Sequence, residues 1–314
     1  MENVQSVDVA MPTYNAASWL DACLNSILSQ AVAGMRVVTR DDLSKDDTLR
    51  SLRAWQARMP QQLKVVEDER GNLGMNGNYT AVLSETSAPL VMLTDPDDIW
   101  LPGKLQISVD AMRKAQEQFG EETPILVCTD ATVVDNELEI ISDSYRRWVR
   151  NDPGDLNTFR KIITECAALT STILVNRPLL ERALPIPERA CPDWWLALVA
   201  CAFGRVVYLP DPTVLYRRHP ANDSLAPIGR KGLRTFSHAT KAKERVKFLI
   251  RQNSGQARAF HERYGKEMPR PDAEALRAAA TLEFDGWLTK RYKILRYGLW
   301  FASPVKNIGF ILLA

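Results

Sequence analysis

Two carboxylate clusters carry the clearest potential for chemistry. One is Asp41-Asp42-Leu43-Ser44-Lys45-Asp46-Asp47 and the other is Asp95-Pro96-Asp97-Asp98. Each directly follows a short apolar run, residues 37–39 and 90–94, and so stands at the carboxyl end of an expected strand. Like charges crowded together repel unless a cation or hydrogen-bond donors compensate. One of Asp46 and Asp47 has a local explanation as the N-cap of the helix that follows. Asp95, Asp97 and Asp98 have no such explanation. Oxygen ligands in a D-x-D arrangement suit Mg2+ or Mn2+, ions that retain waters and bind substrate phosphates. The sequence holds no Gly-x-x-x-x-Gly-Lys loop to cradle phosphates, and Gly71-Asn72-Leu73-Gly74 is not a dinucleotide fingerprint. A diphosphate held through a metal is the remaining economical chemistry.

The elements that must position these groups follow from the apolar pattern. Strands are expected at residues 7–11, 37–39, 63–66, 90–94 and 125–129. Between them come helices opening at Ser18, spanning 48–58 and 76–83, and beginning around Pro102, where a missing N–H costs nothing. This alternation predicts a mostly parallel sheet covered on both faces. Ligands of such sheets bind outside the carboxyl ends of the strands. Pro12-Thr13-Tyr14-Asn15 follows the first strand at that same edge. Past residue 130 the pattern loosens. Residues 143–155 read as a mobile surface segment, and residues 171–175 return to the sheet. A helix at 192–203 and a strand pair at 206–209 and 214–216 follow. From about 228 the chain reads as helical, broken at Met268-Pro269-Arg270-Pro271. The expected layout is an α/β domain over residues 1–225 and a helical extension over 226–314.

A net charge of +2 on 314 residues argues against a nucleic-acid partner. Five cysteines with no C-x-x-C pair and three histidines exclude zinc-finger arithmetic. The cysteine usage and the absence of a leader pattern predict a cytoplasmic protein. Residues 286–314 carry five basic side chains and no acidic one, interleaved with Trp287, Tyr292, Tyr297, Trp300, Phe301 and Phe310. Such a stretch either packs on its own domain or lies in the headgroup plane of an anionic inner membrane.

Six blocks in order then carry a resemblance. They are Val9-Ala10-Met11-Pro12-Thr13-Tyr14-Asn15, Arg40-Asp41-Asp42-Leu43-Ser44-Lys45-Asp46, Asn72-Leu73-Gly74, Thr94-Asp95-Pro96-Asp97-Asp98-Ile99-Trp100-Leu101-Pro102, Pro192-Asp193-Trp194-Trp195 and Leu215-Tyr216-Arg217-Arg218-His219. Over about residues 5–225 the chain resembles the family 2 glycosyltransferases of GT-A fold, in particular their bacterial polysaccharide and O-antigen branch. The resemblance implies a Rossmann-like, mostly parallel sheet flanked by helices, and a single-displacement, inverting sugar transfer. The partners it implies are a nucleotide-sugar donor, with dTDP-L-rhamnose preferred over a UDP-hexose, and a glycan or lipid-linked glycan acceptor. Mg2+ or Mn2+ is the implied cofactor. A nucleotidyltransferase would want a glycine-rich, lysine-bearing loop after the first strand, which Pro12-Thr13-Tyr14-Asn15 does not supply. A non-catalytic scaffold of the same fold is the other competitor.

By the same resemblance Pro12, Thr13, Tyr14, Asn15 and Asp42 contact the base and ribose, and Asp95 lies near the ribose or metal. Asp97 is the metal ligand and Asp98 an additional or outer one, with His219 approaching the metal and Arg217 or Arg218 reaching the diphosphate. Asp193 is the catalytic base, and Trp194 or Trp195 stacks on a sugar ring. Leu43 stands where relatives commonly have glycine, so its turn must avoid positive φ or carry strain. Pro192 replaces a histidine common in relatives, and Pro220-Ala221-Asn222 replaces an Asn-Gly pair.

Overall fold

The computed structural model describes residues 6–30, 34–149, 158–166, 168–219, 238–301 and 307. Strands β1 (Val7–Thr13), β2 (Met35–Asp41), β3 (Leu63–Val65) and β4 (Leu90–Leu93) pair in parallel, with Val9 opposite both Val37 and Met92. Helices α1 (Ala17–Leu28), α2 (Thr48–Arg58) and α3 (Gly74–Ser84) supply the crossovers. A two-residue strand β5 (Ile99–Trp100) precedes α4 (Lys104–Phe119). The long β6 (Ile125–Val134) is followed by β7 (Ile140–Ser142), α5 (Tyr145–Val149) and α6 (Phe159–Thr164). A 3-10 turn at Thr170–Thr172 leads into β8 (Ile173–Asn176), then α7 (Arg177–Ala183), α8 (Pro192–Phe203) and β9 (Arg205–Arg217).

One sheet runs β3-β2-β1-β4-β8-β6-β9-β5, with β7 paired to β6. Its first four strands are the expected parallel half. Beyond them β8 runs opposite to both β4 and β6, β9 is parallel to β6, and β5 is antiparallel to β9. Apolar periodicity locates strands but does not encode their direction, which is why this mixed half was not foreseen.

The expected strand pair at 206–216 is a single strand. Pro210-Asp211-Pro212 looks like a turn, yet β9 continues through it alongside β6, and Cys128 faces Tyr208 while Asp130 faces Pro212. The extra residues form a bulge, where prolines cost no ladder hydrogen bond.

Side chains alternate between two cores. Val7, Val9 and Met11 join α1, α2 and α4 on one face. Ala10, Val38 and Leu93 join α3, α7 and α8 on the other. The C-terminal helices α9 (His238–Tyr264), α10 (Arg270–Thr281) and α11 (Trp287–Tyr297) belong to this second core through Phe260, Leu276, Ala279 and Ile294. Phe260 and Tyr264 pack on Trp195 and Phe203, with ring centroids 4.9–6.3 Å apart. The extension is therefore joined to the sheet domain by one continuous core.

Candidate active site

The edge at the carboxyl ends of β1 and β2 is fixed by one buried arginine that sequence reasoning passed over. Arg40 Nη1 donates to Asp42 Oδ1 at 2.6 Å and to Asn78 Oδ1 at 3.0 Å. Its Nε and Nη2 fork onto Asp68, and Nη2 also reaches the Gly71 carbonyl at 2.7 Å. This guanidinium holds the Asp68 carboxyl far below the usual carboxylate range. Asp42 in turn accepts from the backbone N–H groups of Leu73 and Gly74, both at 2.8 Å. Gly71 and Gly74 have φ of +74° and +68°, and open space where a Cβ would stand. They are needed for backbone turning, which aims two N–H groups at one carboxylate.

Above this network Pro12 and Thr13 are buried, whereas Tyr14 is half exposed. Asn15 and Leu43 both take positive φ, 49° and 62°. The leucine turn therefore carries strain of about 1–2 kcal/mol. Neighbouring hydrogen bonds hold it: Asn15 N donates to Ser44 Oγ at 2.8 Å, and Ser44 N and Oγ both donate to Asp41. Asp46 is structural, accepting from Thr48 N, Thr48 Oγ1 and Ala17 N to tie α2 to α1.

At the end of β4 the three carboxylates have three different fates. Asp95 Oδ1 accepts from Tyr79 Oη at 2.5 Å, and Asp95 N donates to Ser171 Oγ at 3.0 Å. Burial, with the charge of Asp97 adding, pushes the Asp95 carboxyl up to about 7. Asp98 is wholly buried, and its Oδ1 accepts from Arg217 N at 3.0 Å. Its Oδ2 makes no hydrogen bond, although the Ser171 hydroxyl lies near enough to favour the ionised form. Burial and the charges of Asp97 and Asp95 drive Asp98 well above its ordinary value. The buried Lys104, with Nζ 4.9 Å from the Trp100 ring centre, is pushed down to about 7 by desolvation and pulled back up by Asp98. Asp98 is thus a wholly buried carboxylate held by Arg217 N, and Asp97 is the more exposed of the two.

Asp97 is partly exposed. Its Oδ2 lies 2.9 Å from His219 Nε2, and the imidazole stacks on Trp19 with ring centres 4.2 Å apart. Trp19 Nε1 is anchored on Asn136 Oδ1. Arg217 is consumed locally, donating from Nε to the Asp97 carbonyl and from Nη1 to the Asn136 carbonyl. Arg218 Nη1 donates to Tyr216 Oη at 3.1 Å. Among the described residues no three His, Cys, Asp or Glu side chains are grouped as a ready-made metal site. Asp97 and His219 nevertheless fit Mg2+ or Mn2+, ions that take their remaining ligands from phosphate and water.

Asp193 lies in the first turn of α8. Its Oδ1 accepts from the Trp194 N–H at 2.7 Å and its Oδ2 from Thr170 Oγ1 at 3.4 Å. Burial pushes it up to about 6. Its charge opposes ionisation of both Asp95 and Tyr79, so the base candidate and the acidic cluster share one space. Trp194 and Trp195 correct another expectation. They are 8% and 0% exposed, and their indole N–H groups donate to the Ile162 and Ala183 carbonyls. A ring with no free face cannot stack on a sugar. Burying such side chains stabilises by about 1.5–3 kcal/mol each, so their work is to seat α8 and hold Asp193 still.

Residues 8–147 match the family profile described as glycosyl transferase family 2. Over this segment the chain is similar to a family 2 glycosyltransferase domain. A glycosyltransferase of Nostoc sp. is 24% identical over 228 residues, covering 70% of this chain and 67% of that protein. The dTDP-rhamnosyl transferase RfbG of Shigella flexneri is 26% identical over 233 residues, covering 70% and 75%. A mycobacterial relative (Mycobacterium tuberculosis) is 26% identical over 210 residues, and the match spans only 57% of its length. Among solved structures, S. aureus TarS with UDP-GlcNAc superposes with a TM-score of 0.55 at 17% identity, covering 94% and 93% of the two chains. The mannosyltransferase PcManGT of Pyrobaculum calidifontis, with GDP-Man and Mn2+, gives 0.55 at 20%, covering 99% and 87%. At these identities the structures establish the GT-A fold alone.

Within the matched segment, Tyr79, Trp19 and Arg40 escaped sequence reasoning for a common reason. Each lies on an element where an apolar or salt-bridged reading was sufficient, and only tertiary contact turns it toward the site.

Proposed function

We propose that the chain transfers a sugar from a nucleoside diphosphate donor to a glycan hydroxyl by single displacement with inversion. The observation that carries this is the closeness of Asp193 and Asp97 to Asp95, whose ionisation both charges oppose. Asp193 accepts the acceptor hydroxyl proton as that oxygen bonds to the anomeric carbon. The bond from that carbon to the diphosphate breaks, and its electron pair leaves with the diphosphate. Desolvation suits Asp193 to this task, because a carboxylate of raised pKa is the stronger base. Asp97 and His219 would hold the cation, which supplies positive charge against the leaving diphosphate when bound. Tyr14, Asn15 and Asp42 would receive the nucleoside, with Arg218 on the diphosphate side. The likeness to RfbG favours dTDP-L-rhamnose as donor. A UDP-hexose is the second reading, favoured by the 24% identity to a UDP-Glc-dependent glucosyltransferase of Escherichia coli.

Calorimetric titration with UDP-, dTDP- and GDP-sugars, first with Mn2+ and then with EDTA, tests the reading. One uridine or thymidine donor should bind, and only with metal. Binding indifferent to EDTA, or none at all, would return the scaffold alternative to the front.

The same reading gives the C-terminal helix a partner. On α11 Leu288, Tyr292 and Leu295 recur at helical spacing and are all exposed, with Trp287 beside them. Lys290, Arg291 and Arg296 flank this stripe. No described helix is long and apolar enough to cross a membrane. An apolar stripe edged by cations instead fits an anionic bilayer surface, where a lipid-linked acceptor would be presented. Changing Trp287 and Leu288 together to Ser should release the protein from anionic vesicles in a sedimentation assay. Unchanged partitioning would end the idea.

A further inference from the structure

The segment expected to be loose surface contains α5, a helix of five residues that is fastened down with unusual effort. A helix this short does not hold itself together in water. Two buried charged residues hold it. Asp130 on β6 accepts from Ser144 Oγ at 2.5 Å and from Arg146 N at 3.3 Å. Arg146, itself 3% exposed, lies with its guanidinium 3.5 Å from the Tyr208 ring centre and its Nη2 3.7 Å from Cys128 Sγ. Two of its nitrogens have no hydrogen-bond partner among the described residues. Burial of a cation under a helix of little more than a turn buys position, because it is costly in stability.

What is positioned is a pair of aromatic rings. Tyr145 meets Tyr216 edge to face at 5.4 Å and 84°, and Trp148 at 6.2 Å. The Arg218 guanidinium stands 5.7 Å from both the Trp148 and Tyr216 ring centres. Tyr145 and Trp148 are both partly exposed. Neither the Tyr145 hydroxyl nor the Trp148 indole N–H has a hydrogen-bond partner among the described residues. The Asp193 carboxylate lies close enough to oppose ionisation of Tyr145. The pair thus borders the base on one side and, through Tyr216, Arg218 and His219, the donor side on the other.

We propose that Tyr145 and Trp148 form the shelf that receives the pyranose ring of the acceptor, with Asp193 facing its nucleophilic hydroxyl. The chemistry matches. A pyranose has a C–H face that packs on an aromatic ring, and an edge of hydroxyls for the phenol and indole handles. This inference rests on the glycosyltransferase reading and replaces Trp194 and Trp195 as the source of sugar stacking.

Saturation-transfer NMR on the full chain with a panel of methyl pyranosides provides the test. The parent should transfer saturation to the C–H face of at least one pyranoside. Tyr145→Ala and Trp148→Ala should each lower that signal roughly tenfold, and Trp148→Phe should restore most of it. Donor calorimetry on the same variants controls for folding and should be unaltered. Pyranoside signals that survive both alanine changes, a parent that gives none, or donor affinity that falls in step would each overturn the shelf. Failure of the glycosyltransferase reading would show differently, as a parent that binds no donor.

Discussion

Asp193→Asn should lower turnover by roughly 10²–10⁴-fold while donor affinity stays within about twofold. Asparagine has the same shape, and its carbonyl oxygen can still accept from Trp194 N or Thr170 Oγ1, so α8 has no reason to move. What is lost is the ability to take a proton. The parent should show the complementary pH profile. Burial pushes Asp193 up to about 6, so below that pH the base is protonated. The value of kcat/KM should then climb about tenfold per pH unit to a plateau above 6. Linkage adds a second readout with its own sign. The folded state binds the Asp193 proton more tightly than the unfolded chain, so its ionisation costs stability as pH rises from about 4 through 6. Asp193→Asn should therefore be the more stable protein at pH 7, by up to about 3 kcal/mol, and equal to the parent below about pH 4. Urea unfolding at both pH values checks this. A variant that keeps a tenth or more of the parent's turnover would remove Asp193 from the chemistry.

Asp97→Ala should abolish metal-dependent donor binding, with a loss of at least about 100-fold in calorimetric affinity. Alanine removes the oxygen that pairs with His219 Nε2 at 2.9 Å and leaves the backbone carbonyl that Arg217 uses. Asp98→Asn makes the decisive contrast. Its side chain is buried against Arg217 N, so an isosteric amide should keep most of the metal-dependent binding. If Asp98→Asn and Asp97→Ala lost donor binding equally, the burial of Asp98 would be functionally irrelevant and the triad would act as one ligand set.

Much of the parallel half was readable because its signals are local. Val9, Val37 and Met92 lie in apolar runs, and the clusters that follow them fall at the strand ends, as a crossover sheet requires. The helix at 192–203 was legible to the residue, since Pro192 sits where a missing N–H costs nothing. What could not be read depends on contacts far apart in sequence. Whether Trp195 faces a sugar or Phe260 is decided by a helix some sixty-five residues later. Arg146 looks like one more surface charge in a hydrophilic stretch, and only the position of Asp130 and Tyr208 puts it under α5. Likewise the strain at Leu43 was posed as an alternative by its residue type, and the structure selects positive φ.

The 3-10 turn at Thr170–Thr172 links the end of β4 to α8, Ser171 through the Asp95 N–H and Thr170 through Asp193. Apart from that hinge-pin, the groups proposed for the donor stand mostly on the parallel strands, and those proposed for the acceptor on α5 and α8. An ancestor could thus have exchanged one sugar for another on either side without rebuilding its counterpart. Diversification of glycan sequences would then proceed by independent drift of two half-sites, with Thr170 and Ser171 as the pair that drift must leave alone.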